Sequence, residues 1–576
     1  MLLQGGRLPG AWAGRNDWRI LEAGFGFGAD FLVAWDTWRR DAQRPRLLHF
    51  VSLVPSPPAA ADLRHGAGAA PELAALREQL RAQWQGLVPG FHRLAFEGGR
   101  VLLTLCIGEP AAMLRELSFR ADSVLLRGAP HAIDTTPRNL ALVKALTRLS
   151  RRGATLAGDA GDPRLLQDFQ SCGWQLEANH GAMESGSFAG RYEPAWEVKG
   201  LHEADPAKPG DCVVIGAGLA GAAAAASLAR RGWKVRVLDA AAQPAAGASS
   251  LPAGLLAPHQ SPDDNLLSRL SRAGVRITLR EARQRLAPGL EWEATGVLEW
   301  RGDDARPLPV LGEGLAVWSR EATGGQKAAA GIAPAATAWW HENAAWIEPA
   351  ALVRSWLREP GVQFIGGRRI ARIVRASQGW RLLDAHGEAI VQAPLVVVAA
   401  ALQSAPLLDD RITLHPVRGQ VTWGAHADDA SALPPFPING HGHFLPRVPL
   451  VDRGAWITGS TYGRGDSDAS VRGEDAAANV ERVREVLPRA GEVLRGAAAR
   501  GDLRAWSGVR CASSDRRPLL GEVEAGLWVS TAMGSRGLTF AALCGEILAA
   551  RLHGEPLPVE ARLAQALDAA RQLRSG

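Results

Sequence analysis

The chain has 576 residues and a formal net charge of +6, and this length exceeds what one hydrophobic core supports, so we expect roughly two to four domains. No apolar run approaches the roughly 18 residues that a membrane helix needs, and the N-terminal MLLQGGRLPGAW lacks the features of an export signal; we expect a cytoplasmic protein without a membrane segment. The five cysteines are scattered without a CxxC pair, which argues against a disulfide framework or a metal site. The basic residues are spread along the chain, so the charge permits binding to a polyanion such as RNA without demonstrating it.

A strand, a glycine-rich turn and a helix are predicted at residues 18–38, WRILEAGFGFGADFLVAWDTW. The strand ends at Glu22, and Gly24, Gly26 and Gly28 follow at alternate positions. This pattern is typical of class I methyltransferases, in which the turn holds the amino-acid part of S-adenosylmethionine. Further elements complete a doubly wound α/β sheet over residues 1–195, with strands at 47–54, 100–107, 123–126 and 154–158 and a helix at 71–84. A polar segment with two prolines predicts a linker at residues 196–210.

A second glycine-rich turn lies in residues 211–239, DCVVIGAGLAGAAAAASLARRGWKVRVLD. Gly216, Gly218 and Gly221 follow a short apolar strand, which predicts a tight turn that approaches a pyrophosphate at the N-terminus of the next helix. Asp239 ends the second strand, where a carboxylate can accept hydrogen bonds from ribose hydroxyls. The whole unit predicts a dinucleotide-binding domain of the Rossmann type.

The first 195 residues resemble the methyltransferase half of the MnmC family of bifunctional tRNA-modifying enzymes, through the segments LLQGGRLP, ILEAGFGFGADFL, LLHFVSL, PGFHRLAFEGGRVLLTL and GEP. The resemblance implies an S-adenosylmethionine site that includes the glycine turn, Glu22 and Glu109. Two positions depart from the family pattern: Val54 replaces a glutamate suited to the ribose, and Arg127 replaces an aspartate. A carboxylate would stabilise the positive charge that develops on a methylated amine, whereas Arg127 would oppose it. The resemblance therefore predicts the fold and leaves active methyl transfer open.

Residues 211–576 resemble the oxidoreductase half of the same family and, more broadly, the glycine-oxidase and D-amino-acid-oxidase group of FAD enzymes. The resemblance implies that strands at 361–373, 380–383 and 395–401 complete the nucleotide domain. It also implies an inserted antiparallel substrate sheet, with strands at 296–298, 418–422 and 456–459.

The same resemblance implies which residues bind FAD and substrate. The loop GASSLPAG and the glycine-rich opening of a helix at 540–551 would approach the flavin, through Gly247, Ser249, Gly534, Ser535, Arg536, Gly537 and Leu538. Arg447, in the segment HFLPR, matches the carboxylate clamp of glycine oxidases, and Arg510 is its second candidate. Tyr462 and Arg536 are further candidates for the substrate site.

The resemblance implies FAD-dependent removal of a carboxymethyl group from a wobble-uridine arm of tRNA, with S-adenosylmethionine-dependent methylation as the second step where the first domain is active. Three alternatives stay open: a fully bifunctional enzyme, a first domain that only docks tRNA, and a small-molecule amino-acid oxidase. An NAD-linked dehydrogenase is disfavoured because the C-terminal flavin signature would then have no role. No obligate protein partner is indicated.

Overall fold

The computed structural model describes residues 2–64, 71–127, 137–158, 163–177, 187–196, 207–302, 308, 311, 313–426, 430–451 and 454–573. The chain divides into two compact units: Met1–Lys208 with Ala550–Gln565, and Pro209–Ala549 with Ala566–Gly576. Most of the predicted linker, at 197–206, lies outside the described residues. Within the described ranges, no helix is long and apolar enough to cross a membrane.

The first unit is built on one eight-stranded sheet with the order β3-β4-β2-β1-β5-β6-β8-β7. Its strands are β1 (Asp17–Ala23), β2 (Leu47–Val54), β3 (Gly90–Phe96), β4 (Val101–Ile107), β5 (Ala121–Leu126), β6 (Ser150–Gly158), β7 (Trp174–Leu176) and β8 (Phe188–Tyr192). Its helices are α1 (Leu2–Gly5), α2 (Ala29–Arg40), α3 (Ala74–Ala82), α4 (Pro110–Arg115), α5 (Pro137–Arg148) and α6 (Pro163–Ser171), with short 3-10 turns at Gly10–Trp12, Asp62–Arg64, Pro71–Leu73 and Glu97–Gly99. The five strands β4, β2, β1, β5 and β6 run parallel, and β3, β7 and β8 pair antiparallel at the edges.

Both faces of this sheet are covered, as the strand sequences require. Every residue of β2 is buried, and its side chains alternate between two cores. Phe50 and Val54 belong to one core with the aromatic residues Phe31 and Trp35, whereas Val51 lies in the other. Parallel strands buried on both faces are continuous apolar runs, which is why β2 and β4 are predictable from the sequence.

The second unit contains four sheets and carries the dinucleotide motif. Its strands are β9 (Asp211–Ile215), β10 (Lys234–Leu238), β11 (Gly254–Leu256), β12 (Trp292–Glu293), β13 (Val297–Gly302), β14 (Ser319–Glu321), β15 (Thr337–His341), β16 (Ala345–Ile347), β17 (Val362–Ile365), β18 (Arg372–Ala376), β19 (Gly379–Leu383), β20 (Ala389–Ala393), β21 (Leu395–Val398), β22 (His415–Ala425), β23 (Ile438–Gly440), β24 (Gly442–Val448), β25 (Ala455–Gly459), β26 (Gly463–Arg464), β27 (Arg504–Ala512), β28 (Leu519–Glu524) and β29 (Leu527–Thr531). Its helices are α7 (Leu219–Arg230), α8 (Leu266–Arg285), α9 (Glu313–Ala316), α10 (Gly324–Ala330), α11 (Pro349–Leu357), α12 (Ser404–Leu407), α13 (Gly473–Val486), α14 (Pro488–Ala499) and α15 (Gly537–His553), with 3-10 turns at Ala248–Ser250, Ala401–Gln403, Ala430–Ala432 and Ala569–Arg571.

The nucleotide sheet of this unit has six strands in the order β17-β10-β9-β21-β29-β28. All neighbours pair in parallel except β28 and β29. A nine-stranded sheet contains β13, β22, β24, β25 and β27, so the predicted substrate strands lie in one sheet. It is mixed rather than purely antiparallel, because β13 and β23 pair in parallel. Of the predicted strands, the start of 361–373 forms β17 and 395–398 forms β21 in the six-stranded nucleotide sheet. The end of 361–373 and the strand at 380–383 instead lie in β18 and β19 of a separate three-stranded antiparallel sheet, β18-β19-β20.

Helices α7, α8 and α15 pack closely around a buried ionic network. A Cβ on Gly274 would lie 2.0 Å from the carbonyl oxygen of Thr539, so α8 and α15 approach at backbone distance there. The carboxylate of Glu546 accepts hydrogen bonds from Arg230 at 2.7 Å and from Arg231 at 3.2 Å. Burial alone would raise the pKa of Glu546, but the two guanidinium groups outweigh it and hold that pKa well below its ordinary value.

Residues 550–565, which include helix α16 (Ala561–Gln565), pack within the first unit, although we predicted that this part of the chain belongs to the oxidoreductase half. The buried Arg19 donates to the carbonyl oxygen of His553 at 2.8 Å, and Arg93 donates to that of Pro556 at 2.7 Å. The acceptors of these bonds are main-chain carbonyl groups, which every residue has. No sequence pattern therefore predicts them.

Candidate active sites

The glycines of the dinucleotide turn are required by close backbone contacts. Gly216 has φ of +106°, and a Cβ on it would lie 2.5 Å from the carbonyl oxygen of Ala399. A Cβ on Gly221 would lie 1.8 Å from the carbonyl oxygen of Gly216, so helix α7 packs directly on the turn. The turn is therefore shaped as the sequence predicts.

The two side chains predicted to hold the cofactor brace this turn. The carboxylate of Asp239 accepts hydrogen bonds from the amides of Ala217, at 2.7 Å, and Ala241, at 2.8 Å. The hydroxyl of Ser249 accepts from the amide of Leu219, the first residue of α7, at 3.1 Å. A Cβ on Gly218 would lie 3.1 Å from that hydroxyl, whereas Gly247 is open, with nothing within 4 Å of an added Cβ.

The start of helix α15 lies beside the start of α7. An added Cβ on Gly537 would meet the side chain of Leu219 at 3.1 Å, and one on Gly254 would meet that of Leu538 at 2.8 Å. The hydroxyl of Thr278 fixes this end by donating to the carbonyl oxygen of Leu538 at 2.7 Å. The glycine-rich N-termini of helices α7 and α15 thus lie close together near the loop at residues 247–254.

This arrangement fits a flavin dinucleotide. Glycine positions that exclude a Cβ leave backbone amides open to phosphate groups, and the helix dipoles favour negative charge. Asp239 directly follows β10, and a carboxylate at this position can reach a ribose. The remaining residues predicted for the cofactor occupy the approach to α15: Gly534, with φ of +57°, exposed Ser535 and half-buried Arg536.

A cationic cluster lies on the nine-stranded sheet of the same unit. The guanidinium of Arg510, on β27, donates to the hydroxyl of Ser460 and lies across Gly419, where a Cβ would be 2.3 Å from its Nη1. It also lies 5.6 Å from the centre of the Tyr462 ring. Burial lowers the pKa of Arg510, and Tyr462 partly offsets that effect; the group remains a cation at neutral pH.

His443, on β24, joins this cluster although the sequence did not single it out. It pairs with Gly459 across the sheet, and its Nε2 atom is buried with no hydrogen-bond partner among the described residues. Burial, with Arg510 as a second cause, lowers its pKa from 6.5 to about 4. The imidazole is therefore neutral at physiological pH, and its Nε2 atom has no partner among the described residues.

Tyr462 and Arg536 connect the cluster to the start of α15. Burial lowers the pKa of Arg536, and the nearby Tyr462 acts in the opposite direction. Burial and Arg536 together lower the pKa of His259. Arg510, Tyr462 and Arg536, three of the predicted residues, therefore share one region with two histidines that the sequence analysis did not select.

Arg447 is placed differently. It lies in β24 at an irregularity in the pairing with β25, between Leu445 and Val448, and its side chain is exposed. Among the described residues, its side chain forms no hydrogen bond or ion pair. Its role as the carboxylate clamp stays a prediction from the resemblance.

The glycine turn of the first unit has the predicted shape. Gly24 has φ of +106°, Gly26 of +54° and Gly28 of +78°, and Gly28 precedes helix α2. The loop that follows Arg127, residues 128–136, lies outside the described residues.

The carboxylates near this turn accept hydrogen bonds from the protein, but the buried Oε1 atom of Glu22 has no partner among the described residues. Glu22 is fully buried and accepts a hydrogen bond of 2.6 Å from Ser52. Burial, reinforced by Asp30, raises its pKa well above the ordinary range. Glu109 caps helix α4 by accepting from the amides of Ala111 and Ala112, at 3.0 and 2.6 Å. Val54, at the end of β2, is buried and apolar.

Comparison with known proteins agrees with the fold. The family model described as FAD dependent oxidoreductase matches residues 211–551. The structure is also similar to a glycine oxidase from Geobacillus kaustophilus, with a TM-score of 0.50 and 18% identity, covering 64% of this chain and 100% of that one. The second unit thus has the fold of a FAD-dependent oxidoreductase, as predicted.

Two curated relatives cover nearly the whole chain. The protein of Polaromonas naphthalenivorans strain CJ2 is 47% identical over 98% of this chain and 92% of its own length, and that of Polaromonas sp. strain JS666 is 48% identical over 98% and 93%. Both are named tRNA 5-methylaminomethyl-2-thiouridine biosynthesis bifunctional protein MnmC. The chain belongs to the MnmC family, which confirms the resemblance found in the sequence.

Proposed function

We propose that the second unit is a FAD-dependent oxidoreductase that removes the carboxymethyl group from 5-carboxymethylaminomethyl-2-thiouridine at the wobble position of tRNA, leaving 5-aminomethyl-2-thiouridine. The observation that carries this proposal is the half-buried guanidinium of Arg510, which lies with a neutral His443 on the substrate sheet of a dinucleotide-binding unit. A fixed cation of this kind suits the carboxylate of a glycine-like group. A tRNA substrate implies that the protein works in the cytoplasm.

FAD, when bound at Gly216, Gly218, Gly221 and Asp239, supplies a two-electron acceptor for the substrate C–H bond. Oxidation of the glycine-type carbon followed by hydrolysis converts the carboxymethylamino group into an amine and glyoxylate. The protein residues bind and orient the arm. Arg510 holds the carboxylate through paired N–H donors, and this fixes the C–H bond that must break.

His443 and Tyr462 complete the proposed site. A neutral imidazole with a free Nε2 can accept a hydrogen bond from the substrate amine and favours binding of the uncharged amine, since the cation Arg510 is close. Tyr462 is 48% exposed, so a nucleotide arm that enters from solvent can contact its ring. Burial around Arg510 strengthens its attraction for the carboxylate.

The direct test is conversion of tRNA that carries the carboxymethylaminomethyl arm, followed by mass spectrometry of the nucleosides. We expect the aminomethyl nucleoside and glyoxylate in equal amounts. Free glycine and sarcosine serve as competing substrates. Rapid oxidation of either, with unchanged tRNA, would identify a small-molecule amino-acid oxidase instead.

A further inference from the structure

One face of the nine-stranded sheet is turned towards the loop at residues 247–254. The indole of Trp506, on β27, donates to the hydroxyl of Ser250 in that loop at 2.9 Å. Residues that pair directly on neighbouring strands lie on the same face of a sheet. The register that starts at Trp506 continues on this face through one residue of each following strand: Val421, Gly459, His443, Asn439 and Glu299.

Asn439, on β23, lies directly opposite His443 in this row. Its side chain is half-buried, and it forms no side-chain hydrogen bond among the described residues. A carboxamide offers an acceptor oxygen and two N–H donors on one planar group. Asn439 can therefore pair with a ligand edge that presents an acceptor beside a donor.

Glu299, on β13, is the next residue of the row, and its carboxylate is fixed by the protein. Arg301 donates to its Oε1 atom at 2.8 Å, and the Nε2 atom of the buried His341 lies 3.0 Å from its Oε2 atom. Burial alone would raise the pKa of Glu299, but these two partners lower it to about 2. The face thus carries a fixed negative charge beside Asn439.

The order of these side chains matches the order of groups in the proposed substrate arm, which are a carboxylate, an amine and a uracil ring. Arg510 donates to the hydroxyl of Ser460, which directly follows β25, whereas His443 and Asn439 lie on the next two strands. One methylene separates the amine from the ring, so the C4 carbonyl and N3–H edge lies about one strand spacing, roughly 5 Å, from the amine.

We propose that Asn439 recognises the base of the substrate, by donating to the C4 carbonyl oxygen and accepting from the N3–H group of the 2-thiouracil ring. Glu299 repels the carboxylate of the arm and so directs it to Arg510 at the other end. This inference rests on the proposed function, because it takes the uridine arm as the substrate. It also gives a physical reason why the site prefers that arm to free glycine, which has no group that pairs with Asn439.

The test compares two substrates in the full-length, flavin-loaded protein. One is a stem-loop RNA that carries 5-carboxymethylaminomethyl-2-thiouridine, and the other is the same RNA with a methyl group on N3, which removes the N–H donor. The variant is Asn439→Ala, whose smaller side chain leaves room for the methyl group. Gln378→Ala is the control, because this amide is exposed in the turn between β18 and β19. Flavin content and thermal melts show that each variant is folded.

We expect the parent protein and Gln378→Ala to prefer the unmethylated RNA by about 10- to 100-fold in kcat/KM. Asn439→Ala should lose this preference to within about twofold, through a lower kcat/KM for the unmethylated RNA; a merely structural role for Asn439 would lower both values equally. Equal rates of the parent protein on the two RNAs, or a parental preference in Asn439→Ala, would overturn the inference while the proposed function stands. A parent protein that converts neither RNA would refute the proposed function and this inference with it.

Discussion

Replacing Arg510 by alanine tests the proposed carboxylate site most sharply. In the structure this guanidinium donates to Ser460 and reaches the carbonyl oxygen of Arg418 only at 3.5 Å, so donors remain for a substrate. Each hydrogen bond to a charged partner contributes about 1.5–3 kcal/mol. Loss of two such bonds costs about 3–6 kcal/mol, which corresponds to a fall in kcat/KM of roughly 10² to 10⁴.

Arg447→Ala is the matched comparison. Its side chain is exposed, and substitutions at such positions change free energies by about 0.5 kcal/mol or less, or roughly twofold in rate. The assay is steady-state conversion of tRNA carrying the carboxymethylaminomethyl arm, with flavin content measured for each variant. If Arg447→Ala lost activity a hundredfold while Arg510→Ala kept most of it, our placement of the clamp would be refuted and the resemblance-based prediction supported.

Three further predictions concern the second unit. Gly221→Ala should abolish flavin retention, because the added Cβ would lie 1.8 Å from the Gly216 carbonyl oxygen. The control Gly324→Ala, whose added Cβ would have nothing within 4 Å, should keep the flavin-to-protein ratio of the parent. Equal flavin-to-protein ratios in the two variants would contradict the steric argument. Glu546→Ala should lower the free energy of unfolding by about 3–5 kcal/mol in urea titrations, since it removes the carboxylate to which the buried Arg230 and Arg231 both donate. A change below about 1 kcal/mol would show that the network adds little. The pKa of His443 falls from 6.5 to about 4 on folding. Between pH 6.5 and 4 the unfolded chain therefore binds one more proton at this residue than the folded chain, and the free energy of unfolding declines as the pH falls through this range. His443→Phe should flatten this part of the stability curve, and an unchanged slope would assign it to other groups.

The dinucleotide turn was predictable because its geometry is local. The spacing of Gly216, Gly218 and Gly221 encodes contacts within one strand-turn-helix unit, and the structure shows the clashes that exclude larger residues. The same holds for the glycine turn of the first unit and for the apolar runs that form β2 and β4. Short-range steric requirements leave a visible pattern in the sequence.

Long-range contacts were not predictable in this way. Arg127 pairs with Asp30, 97 positions away. Arg510 affects the pKa of His443 only because β24 and β27 belong to one sheet. Residues 550–565 enter the first unit through main-chain acceptors for Arg19 and Arg93. Such partners depend on the fold, and the single residues involved resemble any other arginine or histidine in the chain.

The position of Arg447 illustrates the same limit. The motif HFLPR matches a strand followed by Pro-Arg, whereas in the structure Arg447 lies within β24. The irregular pairing between Leu445 and Val448 changes which face a residue occupies. Alternation along a strand predicts orientation only where the register is regular.

The most direct test of the account is anaerobic mixing of the flavin-loaded protein with tRNA that carries the carboxymethylaminomethyl arm, while the visible flavin absorbance is followed. We predict bleaching that requires this arm, with one glyoxylate released per flavin reduced, and no bleaching with tRNA that already carries the aminomethyl group. A flavin that stays oxidised with the modified tRNA but is bleached by free glycine would contradict the assignment of a tRNA substrate.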